Sequence, residues 1–436
     1  MSEREIIGAL SVGIVLLLVA IRVPIGIAMG IVAFGGISAA VSIKAGLGVL
    51  TAIPFEIVGD WNLSAIPMFL LMGYVAASAE LTKNLFRSAR ITLSWLPGGL
   101  ASATVISAAL FSSASGSSIA TAAAFARTAV PEMLRANYHP GLATGAVAAA
   151  GTLGALIPPS VLMIVYGITM SESINSLFLA GVLPGIVSAL MFIIYITVRC
   201  AVTPSLAPAV HEDVSPEERR EAFRDVWPLP VIILGVIGGI FAGLFTPTEA
   251  GAVGAGLTIL VAILRRSFTW PGFKDALVRT ANGTASIFII VVGAGLFQRL
   301  LGLTGVASAF TDLVAANIDT QLGVLIAIAA LYLVMGCFLD GISIMLLTLP
   351  VITPILRHYS IDLIWFGVIT VKLLEMGMIT PPMGMNVFVV KGALGDRVSL
   401  GQVFRGTFGF LMSDFVTLGL IIAFPIMSLW LPELAS

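Results

Sequence analysis

Charged residues are scarce in this chain, and their scarcity limits the classes of protein it can belong to. Asp, Glu, Lys and Arg make up 10% of the 436 residues, whereas soluble domains carry about 25%. Hydrophobic residues make up 58%, and the mean hydropathy is +1.07. A soluble fold of this length cannot bury that much apolar surface. The composition therefore predicts an all-α polytopic membrane protein with roughly ten to fourteen membrane segments.

Cysteine and histidine are also rare. Cys200 and Cys337 lie at the end of one apolar run and inside another, so they form neither a disulfide framework nor a metal-ligand spacing. The three histidines lie in polar loops, and we assign them no role. The formal net charge of −1 gives no reason to expect a nucleic acid partner. The N-terminus lacks the features of a signal peptide, so we expect the first apolar run to be a retained span.

Sequence motifs for catalysis are missing as well. The chain contains no nucleophile elbow, phosphate-binding loop, HExxH or paired-carboxylate motif. Its longest polar segment, residues 203–225, has the length of a linker or a short surface helix rather than of a catalytic domain. The sequence therefore does not predict an enzyme.

Two proline pairs interrupt long apolar runs, Pro158-Pro159 in one and Pro381-Pro382 in the other. A broken membrane helix frees backbone polar groups that lipid cannot satisfy, so protein, water or a ligand must supply their partners. The carbonyl oxygens at a helix C-terminus favour a cation, and hard cations prefer oxygen ligands. We therefore predict one cation site at each break. The alternative is a proline kink that neighbouring helices satisfy.

Each broken run follows a segment with a polar centre, which is typical of a re-entrant hairpin with its tip inside the membrane. Five serines surround Gly116 in a run of small residues, and Asp340 precedes Gly341 in the later run. Single membrane serines usually bond their own backbone or pack, but five in seven residues favour a tip that faces substrate or ion. Asp340 could face an ion or cap its own helix, and both interpretations stay open.

Three further charged residues lie within or beside apolar runs. Lys372 and Glu375 are three positions apart, so they could simply pair on one helix face. Arg127 could bind an anionic substrate, because a guanidinium group suits carboxylates. It could equally extend to the base of the hairpin beside Glu132.

An internal duplication is visible in the prolines. Shifted by 223 residues, Pro24 falls on Pro247, Pro131 on Pro354, and the first proline pair on the second. Repeats that each contain a broken helix and a hairpin are typical of secondary transporters. We expect inverted repeats, although re-entrant segments leave the span count and the absolute orientation open. The predicted organisation is a first repeat at 1–200 (hairpin about 101–130, broken helix about 141–170), a polar linker at 201–226, and a second repeat at 227–436 (hairpin about 322–356, broken helix about 363–392).

Four segments are distinctive: ASGSSIATAAA at 114–124, VPEM at 130–133, the stretch 143–160 that ends in GTLGALIPPS, and ITPPMGMN at 379–386. Together they resemble the large membrane subunit of TRAP (tripartite ATP-independent periplasmic) transporters. The resemblance implies import of an organic acid, such as a C4-dicarboxylate or sialic acid, across the bacterial inner membrane. It implies a sodium gradient as the driving force and an elevator movement as the mechanism. The implied partners are a small membrane subunit on a separate polypeptide and a periplasmic substrate-binding protein.

The resemblance also implies where ligands bind. One sodium site would lie on the tip at 112–118, the other on the tip at 336–341, and the substrate between the two tips. Many of the ion contacts would be backbone carbonyls. The sodium candidates are Ser112, Ser117, Gly154, Ile157, Gly336, Asp340, Gly377, Thr380 and Met383. The substrate candidates are Ser113, Ser115, Ser117, Ser118, Arg127 and Asn386.

Two other functions compete with this one. The first is a divalent-anion/sodium symporter that works without a binding protein. The second is a channel or a scaffold without transport activity, which the internal repeat disfavours. The sequence does not predict which organic acid is carried.

Overall fold

The computed structural model describes residues 2–208 and 215–435, without the side chains of Lys83 and Phe223. Within these residues the chain is helical and has no β-strand, which confirms the predicted all-α class. Eight helical stretches are long and apolar enough to cross a membrane, and five shorter apolar helices accompany them. Part of the polar linker, residues 209–214 with His211, lies outside the described residues.

The described helices divide at the linker into ten before it and eleven from it onward. The first set is α1 Glu3–Ala20, α2 Ile25–Ala40, α3 Ile43–Val58, α4 Ala65–Ser78, α5 Leu81–Leu93, α6 Gly99–Ser115, α7 Ser118–Arg135, α8 Pro140–Leu156, α9 Val161–Met170 and α10 Ile174–Val202. The second set is α11 Pro216–Val226, α12 Pro228–Phe241, α13 Pro247–Leu264, α14 Trp270–Thr304, α15 Val306–Ala315, α16 Gln321–Gly336, α17 Gly341–His358, α18 Leu363–Gly377, α19 Met385–Leu394, α20 Leu400–Ala423 and α21 Ile426–Ala435. Short 3₁₀ turns lie at Trp61–Ser64, Pro204–Leu206 and Gly395–Arg397.

Polar side chains at the helix starts explain where many of these helices begin. In an apolar chain the first amides of a helix need an acceptor, and Ser, Thr or Asp at the N-cap supplies one. Ser2, Ser215, Thr246 and Ser399 each form a capping box with a Glu or Gln three residues later. Ser160 caps α9 without a capping box, because its hydroxyl accepts from the Met163 amide and Met163 has no group to bond back.

Most of the basic residues lie at one end of the helical bundle, which we call the basic face. Helix α5, the linker helix α11, the start of α14 and the start of α20 meet there. We call the other end of the bundle the opposite face. There α9 contacts the start of α18, where Tyr166 Oη donates to the carbonyl oxygen of Leu363 at 2.6 Å. The contacts that assemble the basic face include Ser88 with Ala222, Arg90 with Glu132, Arg265 with Asp225, His139 N with Leu206 O, and Gly141 with Gln402.

The two hairpins enter the bundle from opposite faces. Helices α6 and α7 begin and end at the basic face and meet at Gly116 in the interior, whereas α16 and α17 begin and end at the opposite face. The broken helix α8–α9 runs away from the basic face, and α18–α19 runs towards it. The two repeats are therefore inverted, as expected.

Helix α8 is the most enclosed element of the fold. Every residue from Gly141 to Leu156 is buried, and helices α6, α7 and α20 pack around it. Its small residues let the neighbouring backbones approach closely, which is how membrane helices associate without a hydrophobic driving force. The break at the end of α8 is therefore held within protein rather than exposed to lipid.

Candidate substrate and ion site

The first hairpin tip packs against the first helix break. Helix α6 ends at Ser115, Gly116 takes the left-handed conformation with φ 57°, and Ser117 caps α7 by accepting from the Ala120 amide. A Cβ added to Gly154 would lie 3.2 Å from both Ser112 Oγ and the Ser117 carbonyl oxygen. Two oxygens thus approach the Gly154 backbone closely, and a side chain at this position would crowd them.

The serines of this tip have different surroundings. Ser113 and Ser115 are buried, and their hydroxyls are engaged within the hairpin. Thr121, which the sequence pattern did not single out, lies 2.9 Å from Ser115 Oγ and 3.4 Å from Ser112 Oγ. Ser117 and Ser118 instead line a cavity. Of the four serines expected to bind substrate, the structure therefore places these two where a ligand could reach them.

The second tip packs against the second break just as closely. Helix α16 ends at Gly336 and helix α18 ends at Gly377. A Cβ on either glycine would lie 2.8 Å from the Cα of the other, so the two backbones are in direct contact. The hydroxyl of Thr380 donates to the Met376 carbonyl at 2.6 Å, and Met383 is 50% exposed in the same break.

Asp340 caps helix α17, which is one of its two predicted roles. Its Oδ1 accepts from the Ser343 amide at 3.1 Å, and its Oδ2 accepts from the Ser343 hydroxyl. The same residue lines the cavity described next. Both carboxylate oxygens therefore have a hydrogen-bond donor within the cap. A cation-binding role for Asp340 stays a prediction.

One small cavity lies between the two tips. Its volume is about 130 Å³, and both hairpins contribute to it, through Ser117 and Ser118 on one side and Asp340 and Gly341 on the other. Leu70 of α4 and Ile287 of α14 line the same cavity. Residues of both tips therefore line one space, and the binding of substrate there stays a prediction.

Two of the sequence candidates point elsewhere. Asn386 is fully buried, and its Nδ2 donates to the Ala148 carbonyl at 3.1 Å, so it links α19 to α8 instead of lining the cavity. Ile157 lies in the first break, where Gly185 of α10 packs against its side chain. Their contacts as described are with protein, and any ligand contact from Ile157 would come from its backbone.

A second, larger cavity of about 900 Å³ reaches the first tip from the basic face. It shares Ser117 with the small cavity and extends along α7 to Arg127 and beyond. Glu132 pairs with Arg135 at 2.9 Å and with Arg90 at 3.4 Å. Arg127 and Glu132 line the same cavity, so both interpretations of Arg127 stay predictions.

A buried ion cluster lies two residues before the second break. The predicted pair of Lys372 and Glu375 is present at 3.4 Å, but the shorter contact of Lys372 is to Asp414 of α20, at 2.6 Å. Lys372 also bonds Ser188 of α10 at 3.1 Å. All three charged side chains are fully buried. The cluster links α18 to α10 and α20 and so fixes the end of α18 that leads into the second break.

Comparison with known proteins supplies the family. Residues 12–427 match the family model of the tripartite ATP-independent periplasmic transporter, DctM component. The chain belongs to this family. It is 33% identical over 380 residues to the sialic acid TRAP transporter large permease protein of Vibrio cholerae, covering 86% of this chain and 87% of that one. It is 34% identical over 387 residues to the C4-dicarboxylate TRAP transporter large permease protein of Pseudomonas aeruginosa, covering 87% and 88%.

Other comparisons agree with this membership. The sialic acid TRAP transporter permease protein of Haemophilus influenzae is 32% identical over 86% of this chain, which spans 60% of that longer protein. In fold, the chain is similar to the YdaH transporter of Alcanivorax borkumensis, with a TM-score of 0.62 and 13% identity over 88% of this chain and 90% of that one. It is similar as well to MtrF of Neisseria gonorrhoeae, with a TM-score of 0.58 and 13% identity over 88% and 85%. The TRAP permease is thus a multi-pass membrane transport protein.

Proposed function

We propose that this TRAP permease imports an organic acid across the bacterial inner membrane, coupled to sodium and by an elevator movement. The observation that carries the proposal is the small cavity shared by the two hairpin tips. Each tip also packs against a broken helix, so a substrate in the cavity and cations at the breaks would be held by the same four elements. Relatives named for sialic acid and for C4-dicarboxylates support an organic acid of one of these classes as the substrate.

The basic face is the cytoplasmic one in this proposal. Lys and Arg concentrate on the cytoplasmic side of membrane proteins, and here they concentrate on α5, α11 and the start of α14. The 900 Å³ cavity opens towards that face and reaches Ser117, whereas the tip of the second hairpin approaches from the other side. The described conformation then corresponds to the state that releases substrate inward.

Cation coupling is supported by the backbone at the two breaks. The C-terminal ends of α8 and α18 present carbonyl oxygens beside Gly154 and Gly377, and the helix dipole favours positive charge there. Ser112 Oγ and the Ser117 carbonyl add oxygen atoms at the first break. Sodium is the ion that we propose for both breaks, because a hard cation prefers oxygen ligands of this kind.

The partners of this permease would be a periplasmic substrate-binding protein and a small membrane subunit. The name of the family model describes a tripartite periplasmic transporter, so two further components are expected. The longer Haemophilus relative extends well beyond the part that this chain matches, which leaves room for a small subunit there. We expect that subunit to lie beside the permease in the same lipid bilayer.

Reconstitution into liposomes tests the proposal. The permease, reconstituted with the small subunit encoded by a neighbouring gene, should take up a radiolabelled acid only when the cognate binding protein is outside the liposomes. Sialic acid, succinate and isethionate form a suitable substrate panel, because relatives are named for sialic acid, C4-dicarboxylates and isethionate. Uptake without any binding protein would instead support the divalent-anion symporter. Failure with every acid, while the protein remains folded, would contradict carboxylate transport.

A further inference from the structure

The larger cavity carries an excess of positive charge. Five arginines and two glutamates line it, so its formal charge is about +3. One wall is α7 of the first hairpin, and the other walls are formed by α4, α5 and the start of α14. A water-filled cleft with charge of one sign and apolar walls concentrates ions of the opposite sign. The cavity is therefore suited to small anions.

Most of this charge is already engaged by carboxylates. Glu132 pairs with Arg135 and contacts Arg90, and Arg279 pairs with Asp275 at 2.7 Å. Arg127 and Arg87 line the cavity without an ion pair to any residue that the structure describes. Both side chains are exposed. These two guanidinium groups, one on α7 and one on α5, are free to bind an external anion.

Arg127 lies at a fixed distance from the substrate cavity. Ten residues of the continuous helix α7 separate it from Ser117, which corresponds to about 15 Å. Ser117 lines both cavities, so an anion that leaves the tips towards the cytoplasm passes along α7 and meets Arg127. The first tip and the guanidinium thus lie on one path.

We propose that Arg127 and Arg87 form a second, low-affinity carboxylate site on the cytoplasmic release path. A guanidinium binds carboxylate through two parallel hydrogen bonds, so the pair can accept the anion as it leaves the tips. Arg127 lies on the hairpin helix α7 and Arg87 on α5, so two different elements bring the two guanidinium groups to the same cavity. This site adds a release step to the proposed function. That its ligand is a carboxylate rests on the proposed function.

Thiol labelling measures the charge of the cavity without requiring transport. The reporter is Ala124→Cys, three residues from Arg127 on α7, in a Cys200→Ala and Cys337→Ala background. Inside-out vesicles are treated with an anionic methanethiosulfonate (sulfonatoethyl) or a cationic one (trimethylammonium-ethyl). The ratio of the two rates is normalised to a free thiol in solution. Thr128→Cys serves as a second reporter if the first variant does not fold.

The expected normalised ratio favours the anionic reagent by about tenfold. Arg127→Gln and Arg87→Gln should each lower it at least threefold. Arg266→Gln is the matched control, since Arg266 lies on the same face but does not line the cavity, and it should leave the ratio unchanged. Millimolar succinate, sialic acid or isethionate should slow the anionic reagent in the parent and not in the Arg127→Gln variant.

The outcomes separate this site from the transport proposal. A ratio near one in the parent, or a ratio in both arginine variants that equals the parent's, would overturn the release site even if uptake is normal. Labelling from right-side-out vesicles only would overturn its cytoplasmic location. Anion protection that persists in both arginine variants would show that other residues bind the acid. A positive result here with no uptake of any acid would count against the proposed function alone.

Discussion

At the scale of single residues, glycine sets the distance between tip and break. Gly336 and Gly377 bring two backbones into contact, and no side chain fits between them. The sequence identifies Gly377 as a member of a repeated pattern, because it is the 223-residue equivalent of Gly154. It does not reveal that Gly377 touches Gly336, since no spacing along the chain encodes that contact.

Gly377→Ala should therefore weaken the second cation site. The added methyl group would lie 2.8 Å from the Gly336 Cα, and overpacking of this kind costs about 1–3 kcal/mol. We expect sodium-dependent uptake to fall at least tenfold, with a higher sodium concentration at half-maximal rate. Gly392→Ala in the next helix has nothing within 4 Å and serves as the control. Equal sodium curves for both variants would contradict the close contact.

The ion pair of Asp414 with Lys372 could not be predicted from the sequence. Lys372 and Glu375 are close in sequence, so their pairing is predictable, but the nearer partner lies 42 residues away in another helix. A single acid in the last long apolar run gives no indication of its partner. Only the packing of α20 against α18 brings Asp414 within 2.6 Å of the ammonium group.

Asp414→Asn should destabilise the protein strongly, because Lys372 would keep its charge in a buried site without its closest counter-ion. Breaking a buried pair in this way costs about 3–5 kcal/mol. Asp275→Asn removes an exposed partner of Arg279 and should cost less than about 1 kcal/mol. Thermal unfolding in detergent measures both variants. Replacing both charges, in Lys372→Met with Asp414→Leu, should recover part of the loss, and no recovery would argue against the ion-pair explanation.

At the scale of the elements, each hairpin and its broken helix form one structural unit. The sequence predicts the members of this unit from proline pairs and polar tips. In the structure α8 ends at Leu156 and α18 ends at Gly377, each a few residues before its proline pair. The internal hydrogen bonds were less predictable. Thr121 holds the hydroxyls of Ser112 and Ser115, and it lies in an alanine-rich stretch where a lone threonine is unremarkable.

Replacing Asp340 by Ser and by Ala separates its two roles. Serine is a good N-cap, so Asp340→Ser should keep the stability of α17, whereas Asp340→Ala should lose about 1 kcal/mol. If the carboxylate also helps to hold a cation, both variants should reduce uptake and shift its sodium dependence. A serine variant with the sodium dependence of the unmodified protein would leave Asp340 as a helix cap only.

At the scale of the whole molecule, the inverted repeats place two tips in one cavity. The proline spacing predicts the duplication, but inversion follows only from the face at which each helix begins and ends. The two cavities were not predictable either, because α4, α5 and α14 contribute walls from distant parts of the chain. Arg87, now part of the proposed release path, lies in a sequence that looks like an ordinary basic interfacial helix.

The sodium dependence of uptake tests the central claim most directly. Proteoliposomes with the complete transporter and its binding protein are loaded with potassium, and initial uptake is measured while external sodium is replaced stepwise by potassium at constant ionic strength. With one cation at each break, the rate should rise cooperatively with sodium and fall to background in potassium. A rate that is unchanged when potassium replaces sodium would contradict the account.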